Sequence, residues 1–190
     1  MVFFQKKLNY ESGAGYTILE LLVVIAIIST LVVIVFSNFP NIKFQLALSR
    51  SAYQFEQDLR RAQEMSLSFA EYEDSFGVLQ PVTGFGGYVD LFNNTQYIIY
   101  ADSELGGQYY DGAMDYIVNT VDLESGIIIK EINNVTSTDA SIDFKPPSPT
   151  TTITPLPNQS ILEVVFAIES DPAKIKTVSI NTVGLIEVSN

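Results

Sequence analysis

An α+β fold is predicted, with one long N-terminal helix leading into a mostly antiparallel β domain, and three observations carry that expectation. An apolar run from Leu21 to Phe36 is broken only by Ser29 and Thr30. Helical periodicity then places Leu48, Ala52, Phe55, Leu59, Ala62, Ser66 and Phe69 on one face. Beyond Ser75 the pattern changes to short β-branched and aromatic segments divided by Gly, Asn and Pro, and helix followed by strands reads as α+β.

Extended from Thr17 to Phe39, the first segment is long enough to cross a hydrocarbon core of roughly 30 Å as a helix. Ser29 and Thr30 are tolerable there because both hydroxyls can bond back to the preceding turn. A cleaved secretory signal also starts with positive charge and an apolar stretch, but its small residues follow the core. Here Gly13, Ala14 and Gly15 precede it, and Ser37-Asn38-Phe39-Pro40 makes a poor cleavage site, so the helix is expected to stay attached. Lys6 and Lys7 favour a cytoplasmic leader, although Lys43 on the far side weakens the asymmetry. Glu20 is the costly residue, a carboxylate at the start of a membrane-spanning segment. Near the helix N-terminus the macrodipole favours its charge.

Pro40 removes one helical hydrogen bond, so a kink or local break is expected near 36–40. In the amphipathic half, Glu56 and Arg60 form an i,i+4 pair on the exposed side. Gly84, Gly86 and Gly87 are expected to precede a strand at Tyr88–Phe92, with Asn93-Asn94 turning the chain into Thr95–Ala101. Further strands are expected at Ile127–Ile132, Ser141–Phe144, Ile161–Ile168, Ile175–Ile180 and Leu185–Val188, the last two closing a hairpin through Gly184. Pro146–Asn158, rich in proline and threonine, reads as an extended exposed loop. The expected organisation is a polar segment at 1–15, a membrane helix at 16–39, an amphipathic helix half at 40–75 and one β-rich domain at 76–190; the resemblance described below makes the first a leader and the second also a filament-core helix.

The absence of cysteine and histidine fits an extracytoplasmic domain without disulfides, and removes the usual zinc, haem, thiol and Ser-His-Asp chemistry. No carboxylate pair stands out and no nucleophile has a visible base, so no catalytic residue, cofactor or metal ligand is assigned and an enzyme is not expected. The stretch 101–115 holds Asp102, Glu104, Asp111 and Asp115, but without the EF-hand spacing. A solvated acidic turn is the favoured reading over a calcium loop. Tyr97, Tyr100, Tyr109 and Tyr110 are not by themselves evidence of a contact surface, because alternation along a strand buries about half of such residues. Residues 1–15 hold two of ten basic and one of 22 acidic side chains, so the remainder carries a net charge of −13 that opposes nucleic acid.

The segment Gly15-Tyr16-Thr17-Ile18-Leu19-Glu20 and its apolar continuation resemble the class III signal of type IV pilins and pseudopilins, G-[FY]-T-x-x-E. That resemblance implies cleavage by prepilin peptidase between Gly15 and Tyr16, and methylation of the new amine. It also implies assembly with other pilin or pseudopilin subunits, in which Glu20 meets the Tyr16 ammonium of a neighbour. The location implied is a single pass through the bacterial inner membrane with the C-terminal domain outside, and then a fimbrium or a secretion pseudopilus. Beyond the first forty residues the order of elements resembles H-type minor pseudopilins, with Leu59-Arg60-Arg61-Ala62 as an approximate L-x-x-A-R counterpart. Val178 to Val188 resembles their closing hairpin. A single-pass anchored adhesin or binding domain, whose helix is only a tether, is the alternative.

Overall fold

The structure is a computed structural model that describes residues 15–74, 76–103, 109–147, 151–155 and 160–189, with the side chains of 37–41 left aside. Helix α1, Ile18–Leu67, comes first, and eleven strands follow among the described residues. These are β1 Tyr72–Glu73, β2 Leu79–Gln80, β3 Val82–Asp90, β4 Gln96–Ser103, β5 Tyr116–Asp122, β6 Ile127–Asn133, β7 Asp139–Phe144, β8 Thr151–Thr154, β9 Ile161–Ile168, β10 Asp171–Asn181 and β11 Ile186–Ser189. Residue contacts divide the chain into two units, Met1–Pro40 and Asn41–Asn190. The helix passes through Pro40 without the expected break. A proline deletes one donor, and the neighbouring turns keep theirs.

Within the second unit, one helical stripe of Leu48, Ser51, Ala52, Phe55, Leu59, Ala62 and Ser66 is buried. It packs against two antiparallel sheets, ordered β5-β4-β3-β7-β8 and β11-β10-β9-β6. Phe55 touches both, with its ring 4.8 Å from Tyr97 of β4 and 5.5 Å from Phe166 of β9. Polar groups on the helix are spent on the same contacts. The Tyr97 hydroxyl donates to Asp58 at 2.6 Å, and the buried Ser66 hydroxyl accepts from the Phe85 amide at 2.8 Å. Arg60 pairs with Glu56 as expected and also donates to the Ile186 carbonyl at 2.7 Å, while Gln63 reaches the Gly184 carbonyl at 3.1 Å. The closing hairpin β10–β11 is thereby tied to the helix, and Asn181 Oδ1 organises its turn by accepting from Val183 and Leu185.

Several elements differ from the sequence expectation. The amphipathic half ends at Leu67, well short of residue 75, in a Schellman arrangement. The Ala70 amide reaches the Met65 carbonyl, the Phe69 amide reaches the Ser66 carbonyl, and Phe69 takes a left-handed φ of 51°. Phe69 therefore leaves the core stripe and is exposed. The glycines at 84, 86 and 87 lie inside β3, not before it. A Cβ at Gly86 would lie 2.4 Å from the Ile142 carbonyl oxygen and 2.8 Å from the Tyr100 ring, so strand spacing and the Tyr100 side chain require its absence. A 3-10 turn at Leu91–Asn93, capped by Asp90 accepting from the Phe92 amide, replaces the two-residue Asn93-Asn94 turn. The expected exposed loop at 146–158 contains β8, whose Thr151 and Ile153 are buried beside β7. Strands β1, β2 and β5 had no counterpart in the expectation.

Phe55→Ala should cost about 3–5 kcal/mol, because it empties the junction of the helix with both sheets; urea unfolding measures this. Phe69→Gly should stabilise by about 1 kcal/mol by relieving the left-handed backbone, seen as a higher Tm.

Candidate functional site

Gly15, Tyr16 and Thr17 precede the helix, and among the described residues nothing lies within 4 Å of a Cβ built on Gly15. Tyr16 is 82% exposed. Thr17 is the cap. Its hydroxyl accepts from the Glu20 amide at 3.2 Å and its carbonyl from the Leu21 amide at 3.1 Å. Glu20 therefore sits three residues after the cap, the T-x-x-E spacing of a capping box, a signal present in the sequence that the membrane-cost argument passed over. Its carboxylate is exposed and has no hydrogen bond or ion pair among the described residues. It rests at the positive end of the helix dipole.

Ile18–Phe36 is apolar and none of it is buried, although 19 residues of helix span about 28 Å. Thr30 returns its hydroxyl to the Ala26 carbonyl at 2.8 Å, so its polarity is satisfied within the helix. Around this pair Leu22, Val23, Ile27 and Leu31 line a shallow apolar groove. By length and composition this segment is able to cross a membrane.

The acidic stretch 101–115 is built differently from a solvated turn. Asp102 is 1% exposed, receives Lys145 Nζ at 2.5 Å and accepts from the Thr83 hydroxyl at 2.9 Å. Asp115 is also buried and accepts from the Ser103 and Asp111 amides, pinning the segment around 111–115. Asp111 is exposed, and Glu104 lies outside the described residues. Among the described residues no group of three or more acidic side chains is arranged to hold a metal ion. Tyr97 and Tyr100 are buried, Tyr110 is half-buried and Tyr109 is exposed. Tyr110 packs 4.7 Å from Tyr88 and 4.9 Å from Tyr100, closing the outer face of the five-stranded sheet.

Beneath that cover lies Asp143, which the sequence reading missed. In an alternating strand it falls on the side away from the helix, yet it is buried, beside Tyr100 of β4. It accepts from the Tyr100 hydroxyl, and its other oxygen has no partner. Burial, reinforced by the Asp102 charge, raises its carboxyl to about 7 against the pull of Tyr100 and Lys145. The same burial and the Asp143 charge raise the Tyr100 phenol. Asp139 shows the opposite balance. Burial alone would raise it, but hydrogen bonds from Ser137, Tyr109 and Tyr88 hold it below the usual carboxylate range. Tyr88, Tyr100 and Tyr109 each donate their hydroxyl to a carboxylate, which ties the covering segment to the sheet.

An exposed, single apolar helix continuing into the core helix of a two-sheet antiparallel domain defines a pilin-like α+β protein. Among solved structures, the type IV minor pilin FimU of Pseudomonas aeruginosa strain PAO1 is similar to this chain. The TM-score is 0.47 at 12% identity, over 75% of this chain and 88% of that one. No family model and no curated protein sequence matches.

The raised Asp143 carboxyl has a consequence for stability. The folded protein keeps this proton where the unfolded chain has lost it, so stability should fall as pH rises from about 4 to about 7. Asp143→Asn keeps an acceptor for Tyr100 and should flatten this window, stabilising the protein by roughly 2–4 kcal/mol at pH 8. Urea titrations at several pH values provide the check.

Proposed function

We propose that this chain is a structural subunit of a type IV pilus or a type II secretion pseudopilus, processed between Gly15 and Tyr16 and assembled through its N-terminal helix. The observation that carries the reading is an entirely uncovered apolar helix with one unpaired carboxylate in its first turn, joined to a domain that has its own core. In a membrane the helix is covered by lipid and Glu20 sits at headgroup depth. In a filament, neighbouring helices replace the lipid, and the small residues Ala26 and Thr30 allow close approach at a helix interface. Glu20 is then surrounded by apolar side chains and requires a cation. The amine released at Tyr16 supplies one at the corresponding depth of an adjacent subunit. The β-rich domain forms the filament surface, and its acidic charge disfavours nucleic acid as a partner. The roles of Gly15 and Tyr16 in processing and of Glu20 in assembly follow from this reading.

Mass spectrometry of the membrane-extracted protein is the test. A methylated Tyr16 at the N-terminus is expected, whereas an intact Met1 leader would point to the tethered surface domain. Gly15→Ala should leave the leader in place without altering the fold, because the added Cβ meets none of the described residues. Glu20→Ala should permit cleavage but lower incorporation into filaments by about 100-fold or more, since it leaves a neighbour's amine unpaired in an apolar bundle.

A further inference from the structure

We propose that the β1–β2 hairpin and the adjoining C-terminal end of α1 form a docking surface for a different protein, one presenting apolar side chains set among lysines or arginines. The inference stands on the β domain alone and does not depend on the filament reading.

The hairpin is built to hold its apolar residues outward. Asp74 accepts from the Phe76 and Val78 amides and from the Gln80 side chain, and the hydrogen bond from Val78, foremost, keeps its carboxyl below its ordinary value. Tyr72 stacks 5.2 Å from Tyr116 of β5, whose hydroxyl donates to Gln80 Oε1 at 3.1 Å, so the base of the hairpin is fastened to the sheet edge. On this hydrogen-bonded frame Phe76 is 89% exposed, and Val78 and Leu79 are exposed as well. None of the described hairpin residues is buried, so these side chains contribute little to the core.

Beside the hairpin, Phe69 and Leu79 border a groove of about 410 Å³ floored by Met65, Val82 and Phe85. Phe69 is exposed in a left-handed conformation where glycine would be easier. A strained backbone that displays a phenyl ring to water conflicts with stability at two levels, and such conflicts mark functional surfaces.

Charge selects the occupant. From Gln63 to Gln80, the end of the helix and the hairpin, the sequence has four acidic residues, Glu64, Glu71, Glu73 and Asp74, and no lysine or arginine. Glu71 lines the groove, and Glu73 and Asp74 lie in the hairpin. A second copy of this chain would bring the same acidic surface, and an anionic lipid surface would be repelled likewise. A protein with apolar anchors in a basic rim matches both features, and the fixed frame lowers the ordering cost of binding.

The probe is a fluorescent Lys-Phe-Lys-Leu-Lys peptide, compared with Lys-Ser-Lys-Ser-Lys, on the full chain in zwitterionic nanodiscs with empty discs subtracted. The phenylalanine peptide should bind at least about tenfold tighter. Phe76→Ser/Leu79→Ser should abolish that preference without changing Tm. Phe69→Gly should raise Tm by roughly 2–4 °C while weakening the phenylalanine peptide. Equal affinity for the two peptides would overturn the proposal, leaving only an acidic field. A preference that survives Phe76→Ser/Leu79→Ser would overturn it too, as would self-association of the chain that Phe76→Ser abolishes.

Discussion

Burial of one helical stripe, from Leu48 to Ser66, between two sheets is the contact on which the rest of the second unit depends. Neither sheet presents a closed apolar core by itself. Tyr97 and Ile99 of one, and Phe166 and Ile180 of the other, find their common partner in the helix face centred on Phe55 and Leu59. The polar bonds from Asp58, Arg60, Gln63 and Ser66 align that face with particular strands, so apolar area supplies the attraction and hydrogen bonds supply the register. One continuous helix thus carries two patterns: up to Phe36 it is apolar apart from Glu20, Ser29 and Thr30, and it is one-sided where the sheets cover it.

On the opposite face of the five-stranded sheet the glycines of β3 allow a second, polar layer. Gly84 and Gly86 leave room for Tyr100 and Asp102 of β4 to meet Asp143 and Lys145 across the strand between them. Tyr110 and Asp115 then fasten the covering segment over the layer. Charges buried in this way add geometric definition more than net stability, because pairing must first offset desolvation. The raised carboxyl of Asp143 is the residue of that imbalance.

Much of the architecture was legible because it follows from short-range periodicity. The stripe at Leu48, Ala52, Phe55, Leu59, Ala62 and Ser66, the strand at Ile161–Ile168 and the hairpin around Gly184 carry their period and turn chemistry locally. Edge strands carried weaker signals. Strand β5 is mostly exposed, so its pattern lacks a buried face, and β8 is a threonine-rich segment that becomes a strand only because β7 offers it a partner. Phe69 fits the helical period yet is the left-handed residue of the Schellman turn that ends the helix, which spacing alone does not reveal.

At the candidate sites the division is similar. By itself the sequence determined the apolar length of the first segment, the position of Glu20 near its start and the acidic balance of the domain, because these depend only on residue type and order. Tertiary structure decided that Asp102, Asp115 and Asp143 are interior, that Tyr97 and Tyr100 are core while Tyr109 stays outside, and that Phe76 is held outward on a fastened hairpin. The physical reason is desolvation. Whether a carboxylate or an aromatic ring is charged, buried or available depends on what distant strands lay over it, and no local pattern records that.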